Sequence, residues 1–144
     1  MYVGILMDDE RPPRRHITLT FHEHNETFDQ YKRAVAATAL AAARWPALIG
    51  PFKIRFDGLG IFEPSGAWHT KVVPDRFGIM LFQQTLTMAM DHYDVRYSKE
   101  YDYVPHVTLS YFKKPELNPF EGLTIVADTI SVVSNEFGNT NIRL

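Results

Sequence analysis

The sequence predicts an α+β fold: a largely antiparallel sheet with two helices packed outside it. Three observations carry that expectation. Strand-like segments come in runs, two stretches carry apolar residues at helical spacing, and one strand pattern occurs twice. The repeated pattern is His-aliphatic-Thr-Leu-hydroxyl-aromatic, at His16-Ile17-Thr18-Leu19-Thr20-Phe21 and His106-Val107-Thr108-Leu109-Ser110-Tyr111. Side chains of a strand alternate between faces, so His16, Thr18 and Thr20 share one face, as do His106, Thr108 and Ser110. If the strands lie side by side, two imidazoles and two threonine hydroxyls converge on one cleft above a buried apolar row.

Taken in order, Tyr2 to Met7 is an apolar run and reads as a strand, closed by Asp8, Asp9 and Glu10. Arg11 to Arg15 turns the chain into the first His-x-Thr strand. Thr27, with Gln30 three residues on, has the form of a capping box and opens a helix to about Trp45. Its expected buried stripe is Phe28, Tyr31, Val35, Ala39, Ala42 and Trp45, on an Ala-rich body that permits close packing. Phe52 to Phe62 alternates around Gly58 and Gly60, as a strand with a bend or bulge does. Pro64-Ser65-Gly66 is a turn, and Ala67 to Val73 is the returning strand. Pro74-Asp75 begins a second helix through Tyr93, with Ile79, Phe82, Leu86, Ala89 or Met90, and Tyr93 buried. Asp94 to Asp102 reads as a loop over one end of the sheet. After the second His-x-Thr strand come a turn at Lys113 to Pro119 and a last strand within Leu123 to Val133. Each motif lies beside a helix, which suggests two related βα halves.

The length of 144 residues suits a single domain spanning 1–144. A net charge of -2 excludes an extended basic track for a long nucleic acid, so a small anion would be met by local positive charge. The absence of Cys excludes disulfides and thiolate chemistry. No stretch approaches the ~18 consecutive apolar residues of a membrane span, and Met1 to Asp9 carries acids where a signal peptide carries bases. The expectation is a cytoplasmic protein without a membrane partner.

Sheet architecture explains the β-branched and leucine positions of the repeated motif; it does not require imidazole twice. Phosphoester cleavage by general acid and base does. One neutral His removes a proton from water or a ribose hydroxyl, and the other, protonated, supplies one to the leaving oxygen. Each Thr hydroxyl can donate to a non-bridging phosphate oxygen. No cofactor or metal is required by that scheme, because positioning and proton transfer carry it.

These residues resemble the 2H phosphoesterases, which include 2′-5′ RNA ligase-like proteins and cyclic nucleotide phosphodiesterases. The family is marked by two His-x-Thr/Ser motifs followed by aliphatic residues, here His16-Ile-Thr18-Leu and His106-Val-Thr108-Leu. Phe56 to Pro64 followed by Trp68 is similar to the family's central hairpin, and Pro105 and the closing strand near Ser134 also fit. The resemblance implies a bilobal fold with a pseudo-two-fold cleft, and metal-independent cleavage of 2′,3′-cyclic, 2′-5′ or 3′-5′ phosphodiesters by His16 and His106, with Thr18 and Thr108 holding the phosphate. The chain departs from many 2′-5′ RNA ligase-like members in having Tyr111 where they carry Arg. The expected partner is a small nucleotide or short oligonucleotide. The alternatives are a non-catalytic nucleotide- or RNA-binding module on the same fold, and RNA ligation.

Further candidates surround the motifs. Arg14 shares parity with His16 and is placed to meet a phosphate, or belongs to a solvated basic turn with Arg11 and Arg15. Lys71 reaches substrate if its face of the hairpin strand turns to the cleft. Tyr103, with Tyr97, Tyr101 and Tyr2, is a candidate to stack on a base, against the plainer role of packing, and Tyr111 is a further candidate substrate contact. His22-x-His24 reads as a solvated loop pair, not a metal site.

Overall fold

The structure is a computed structural model and describes residues 1–8, 14–23, 26–44 and 50–144. Its elements are β1 (Tyr2–Leu6), β2 (His16–Phe21), α1 (Phe28–Arg44), β3 (Phe52–Phe62), β4 (Ala67–Val72), α2 (Ile79–His92), β5 (His106–Tyr111), β6 (Thr124–Ala127), β7 (Thr129–Ser134) and β8 (Gly138–Arg143). Among the described residues eight strands form one sheet in the order β6-β3-β4-β5-β2-β1-β7-β8, antiparallel at every pairing. β6 stands at one edge and β7 next to the other, yet Asp128 alone joins them. So short a link obliges the sheet to curl until its two ends approach. The result is two lobes, β6-β3-β4-β5 and β2-β1-β7-β8, meeting where the two His-x-Thr strands pair. The α+β expectation, with a central cleft and external helices, holds.

Ile17 and Leu19 of β2 and Val107 of β5 face the helices, whereas Leu109 lines the cleft. Val3, Ile5, Ile17, Leu19, Val107, Ile130 and Val132 are buried there against Ala34, Ala37 and Ala41 of α1 and Ile79, Phe82, Leu86 and Met90 of α2. Burying one of these larger side chains contributes about 1.5–3 kcal/mol. The stripe of α2 is the expected one, Tyr93 serving as C-cap. That of α1 is rotated: Phe28 and Ala39 are exposed, and the buried face runs through Tyr31, Ala34, Ala37, Thr38, Ala41 and Ala42. Small residues decide this face, because the helix lies close to the sheet and α2 only where no side chain holds it off. Thr27 caps α1, its Oγ1 accepting the Gln30 N–H at 3.1 Å, while the expected end at Trp45 lies outside the described residues.

Three expectations need correction. α2 starts at Ile79 and not at Pro74, because Asp75 folds residues 75–78 into a turn: its Oδ1 accepts the Phe77 N–H and its carbonyl accepts the N–H groups of Gly78 and Met80. The segment 123–133 is two strands broken at Asp128, and β8 follows them. The βα halves are not in-order repeats, since β2 leads into α1 whereas β5 follows α2.

His22 closes the far end of β2. It is 2% exposed, donates from Nδ1 to the Arg96 carbonyl at 2.6 Å, and takes the Thr20 hydroxyl on Nε2 at 2.9 Å. With Ser98 N–H on the Phe21 carbonyl, it fastens the loop after α2 across the end of β2. His24 lies outside the described residues. Burial lowers the His22 pKa to about 4, against the raising effect of the Arg96 carbonyl. Between about pH 6.5 and pH 4 the unfolded chain therefore takes up a proton that the fold refuses, and stability falls with pH across that window. The loss approaches ~3 kcal/mol at its lower end. Urea unfolding of wild type and His22→Gln is expected to show a gap that narrows from pH 7.5 to 4.5; a constant gap would refute it.

Candidate active site

The core of the site is a register. β2 and β5 run antiparallel with Ile17 opposite Val107, the middle residues of the two His-x-Thr triplets. A local two-fold axis thus passes between them. His16 falls toward Thr108 and His106 toward Thr18, so imidazoles and hydroxyls occupy opposite corners of one patch. All four side chains line a single cleft with Arg14, Arg15, Leu109, Ser110 and Tyr111. Among the described residues this lining holds two arginines and no acid, in a chain whose net charge is -2.

The two imidazoles are fixed in the same way. His16 Nδ1 lies 3.2 Å from the Arg14 carbonyl and His106 Nδ1 lies 2.7 Å from the Val104 carbonyl. A carbonyl only accepts, so each Nδ1 carries the hydrogen of the neutral ring and Nε2 is left as the reactive nitrogen. Aromatic neighbours set the ring planes. Tyr2 stacks on His16 at 4.0 Å and 16°. Phe62 stands edge-on to His106 at 4.7 Å and 75°, and His69 does so at 5.1 Å and 63°. His69 itself is buried, is stacked on Phe62 at 4.0 Å, and has Nδ1 on the Ala67 carbonyl at 3.2 Å. Burial lowers the His106 pKa below the ordinary imidazole value; the Val104 carbonyl opposes this, and His69 and His16 add to the lowering.

Arg14 lines the cleft, its Nε donating to the Met7 carbonyl at 2.6 Å. Arg15 lies over the Phe120 ring at 5.8 Å. Tyr111 lines the cleft as well. One expected substrate contact falls elsewhere. Tyr103 packs against the hydrophobic core with its hydroxyl buried and without a hydrogen-bond partner, which raises its pKa. Lys71 is opposite His106 in the β4–β5 ladder, so its side chain starts from the same face of the sheet; it is exposed and stands beside Gly58, outside the residues that line the cleft. Tyr2 meets His16 rather than standing free for a base. Phe62 carries no signal in the sequence that would place it at His106, because cross-strand neighbours follow from register; His69 shares the strand face of Lys71.

A curled antiparallel sheet with paired His-x-Thr strands at its centre is the architecture of the 2H phosphoesterases. The sequence profile of the 2′-5′ RNA ligase superfamily matches residues 8–129, and the chain belongs to that superfamily. No curated protein matches the chain in sequence. Its fold is similar to that of TT0787 of Thermus thermophilus, with 18% identity and TM-score 0.65, over 99% of this chain and 93% of that one. It is similar to that of E. coli LigT complexed with 3′-AMP, with 15% identity and TM-score 0.67, at the same coverage of both chains. The MHV ns2 PDE domain matches with 13% identity and TM-score 0.56, over 98% of this chain and 80% of that one.

Proposed function

We propose that the chain is a metal-independent phosphodiesterase acting on a nucleotide, with His16 and His106 as its acid–base pair. The observation that carries this reading is the Ile17–Val107 register, which sets two Nδ1-anchored imidazoles diagonally across one cleft that Arg14 and Arg15 also line. In the proposed reaction, Nε2 of one neutral imidazole takes a proton from the attacking hydroxyl, of water or of a ribose. That oxygen bonds to phosphorus, the bond to the leaving oxygen breaks, and Nε2–H of the other imidazole protonates the leaving group. Thr18 and Thr108 donate to the non-bridging oxygens, where charge develops. Arg14 and Arg15 raise the local concentration of the anionic substrate. The lowered pKa of His106 favours its neutral form and so its role as base, which leaves His16 as acid. Nucleotide binding by LigT, solved with 3′-AMP, supports the substrate class.

Incubation near neutral pH with EDTA is the test, using 2′,3′-cyclic mononucleotides, a 2′-5′ oligoadenylate, cyclic di- and trinucleotides and a short RNA. Cleavage of one class, undiminished by EDTA, is the expected result. Silence across the panel would sink the enzyme reading, and an EDTA loss restored by added metal would sink its mechanism.

A further inference from the structure

The chain leaves β5 through a strained turn that sets two aromatic rings beside the cleft. In a regular strand Tyr111 and Phe112 would point to opposite faces. Phe112 instead takes φ +67°, in the left-handed region that a bulky side chain rarely enters. The Lys113 N–H donates back to the Tyr111 carbonyl at 2.8 Å and closes a three-residue γ-turn around Phe112. Two more bonds clamp this turn: Phe112 N–H to the Gly66 carbonyl at 2.8 Å, and the Ser110 hydroxyl to the Lys113 carbonyl at 2.6 Å. The left-handed residue swings its ring toward that of Tyr111, leaving the centroids 6.5 Å apart at 50°. Tyr111 is 61% and Phe112 80% exposed.

Packing accounts for little of this. Part of the Phe112 ring rests over Gly66, where a Cβ would come 2.6 Å from it, but most of the ring faces water. Strain over-determined by hydrogen bonds, and used to expose apolar surface, does not stabilise the fold and points to a ligand. The surroundings define that ligand. Tyr111 already lines the cleft, and Lys113 and Lys114 follow the two rings as exposed bases, with Lys114 over Trp68 at 5.8 Å. Aromatic faces next to positive charge are what hold unpaired nucleotides.

We propose that Tyr111 and Phe112 form a stacking platform for a nucleotide adjoining the scissile phosphate, so that the substrate is a single-stranded oligonucleotide and not a mononucleotide. This rests on the phosphodiesterase reading of the cleft. The test is binding of an RNA trinucleotide carrying 2-aminopurine, measured by fluorescence on His106→Ala protein with and without Phe112→Gly. Loss of one stacked base is expected to weaken Kd by about five- to 150-fold, and Phe112→Tyr to restore it. In otherwise wild-type protein, Phe112→Gly is expected to lower the ratio of kcat/KM for the trinucleotide to that for 2′,3′-cyclic AMP by a similar factor. Glycine accepts the left-handed φ, so Tm should hold within about 3 °C; a larger fall would mark the ring as a packing element and overturn the proposal. An unchanged Kd would overturn it too. Phe112-dependent binding without cleavage would remove the catalytic reading and keep the platform, whereas cleavage with Phe112-independent affinity would do the reverse.

Discussion

Replacing His106 by alanine is expected to lower kcat for phosphodiester cleavage by about 10²–10⁴-fold, the usual contribution of one positioned acid or base. Tm should move little, because His106 is only partly buried and its ring contacts are edge-on ones with Phe62 and His69. His16→Ala should cost a comparable factor, and the double variant little more than either single one, since a base without its acid partner no longer completes the transfer. Thr18→Ala and Thr108→Ala should each cost less, one hydroxyl remaining on the phosphate. The pH dependence carries a sign. A base must be unprotonated, so in the proposed assignment kcat/KM is expected to fall as pH drops through the free-enzyme pKa of His106, which burial holds below the ordinary imidazole range. The alkaline limb belongs to loss of the acid's proton, and the two limbs are properties of the coupled pair. Wild-type turnover in both single variants would refute the assignment.

Both imidazoles in that prediction are legible in the sequence, and so is the sheet that holds them. The triplets around Ile17 and Val107 announce themselves because β-branched alternation and a repeated pattern survive in one dimension. The β3–β4 hairpin is legible because Gly and Pro mark its bend and turn, and α2 because a clean apolar stripe marks its face, though Pro74 does not mark its start. β8 is not, because Gly138-Asn-Thr-Asn-Ile-Arg143 is a polar edge strand with most positions facing water and no apolar run to show it. The break at Asp128 is hidden too, since a chain crossing from one edge of a curled sheet to the other needs only one residue. Within the site, the sequence misdirects where contacts depend on register or on a single left-handed residue. Tyr103 looks available in sequence and is buried; Tyr2 looks free and is committed to His16. Phe112 breaks the alternation that makes Tyr111 readable.

Gly4→Ala is expected to damage stability and catalysis together, although Gly4 touches no substrate. A Cβ at Gly4 would lie 2.4 Å from the Ile17 carbonyl oxygen and 3.3 Å from the Tyr2 ring. The ring can rotate away; the carbonyl belongs to the β1–β2 ladder at the bulge between Val3 and Gly4, and cannot. β1 must therefore back away from β2, at a cost of about 1–3 kcal/mol typical of overpacking, or several degrees in Tm. Ile17 sits between His16 and Thr18 and opposite Val107, so the same displacement shifts the residues that define the diagonal. Tyr2 reaches His16 across the space that Gly4 leaves open, so the stack that fixes the imidazole plane is disturbed as well. Misplacement by ~1 Å in a reacting group can cost about 10²-fold, so kcat should fall well beyond the small unfolded fraction at 25 °C. Urea unfolding and kcat measured on one preparation separate the two effects. Unchanged values of both would show that β1 has slack, and that the packing between β1 and β2 does not set the geometry of the histidines.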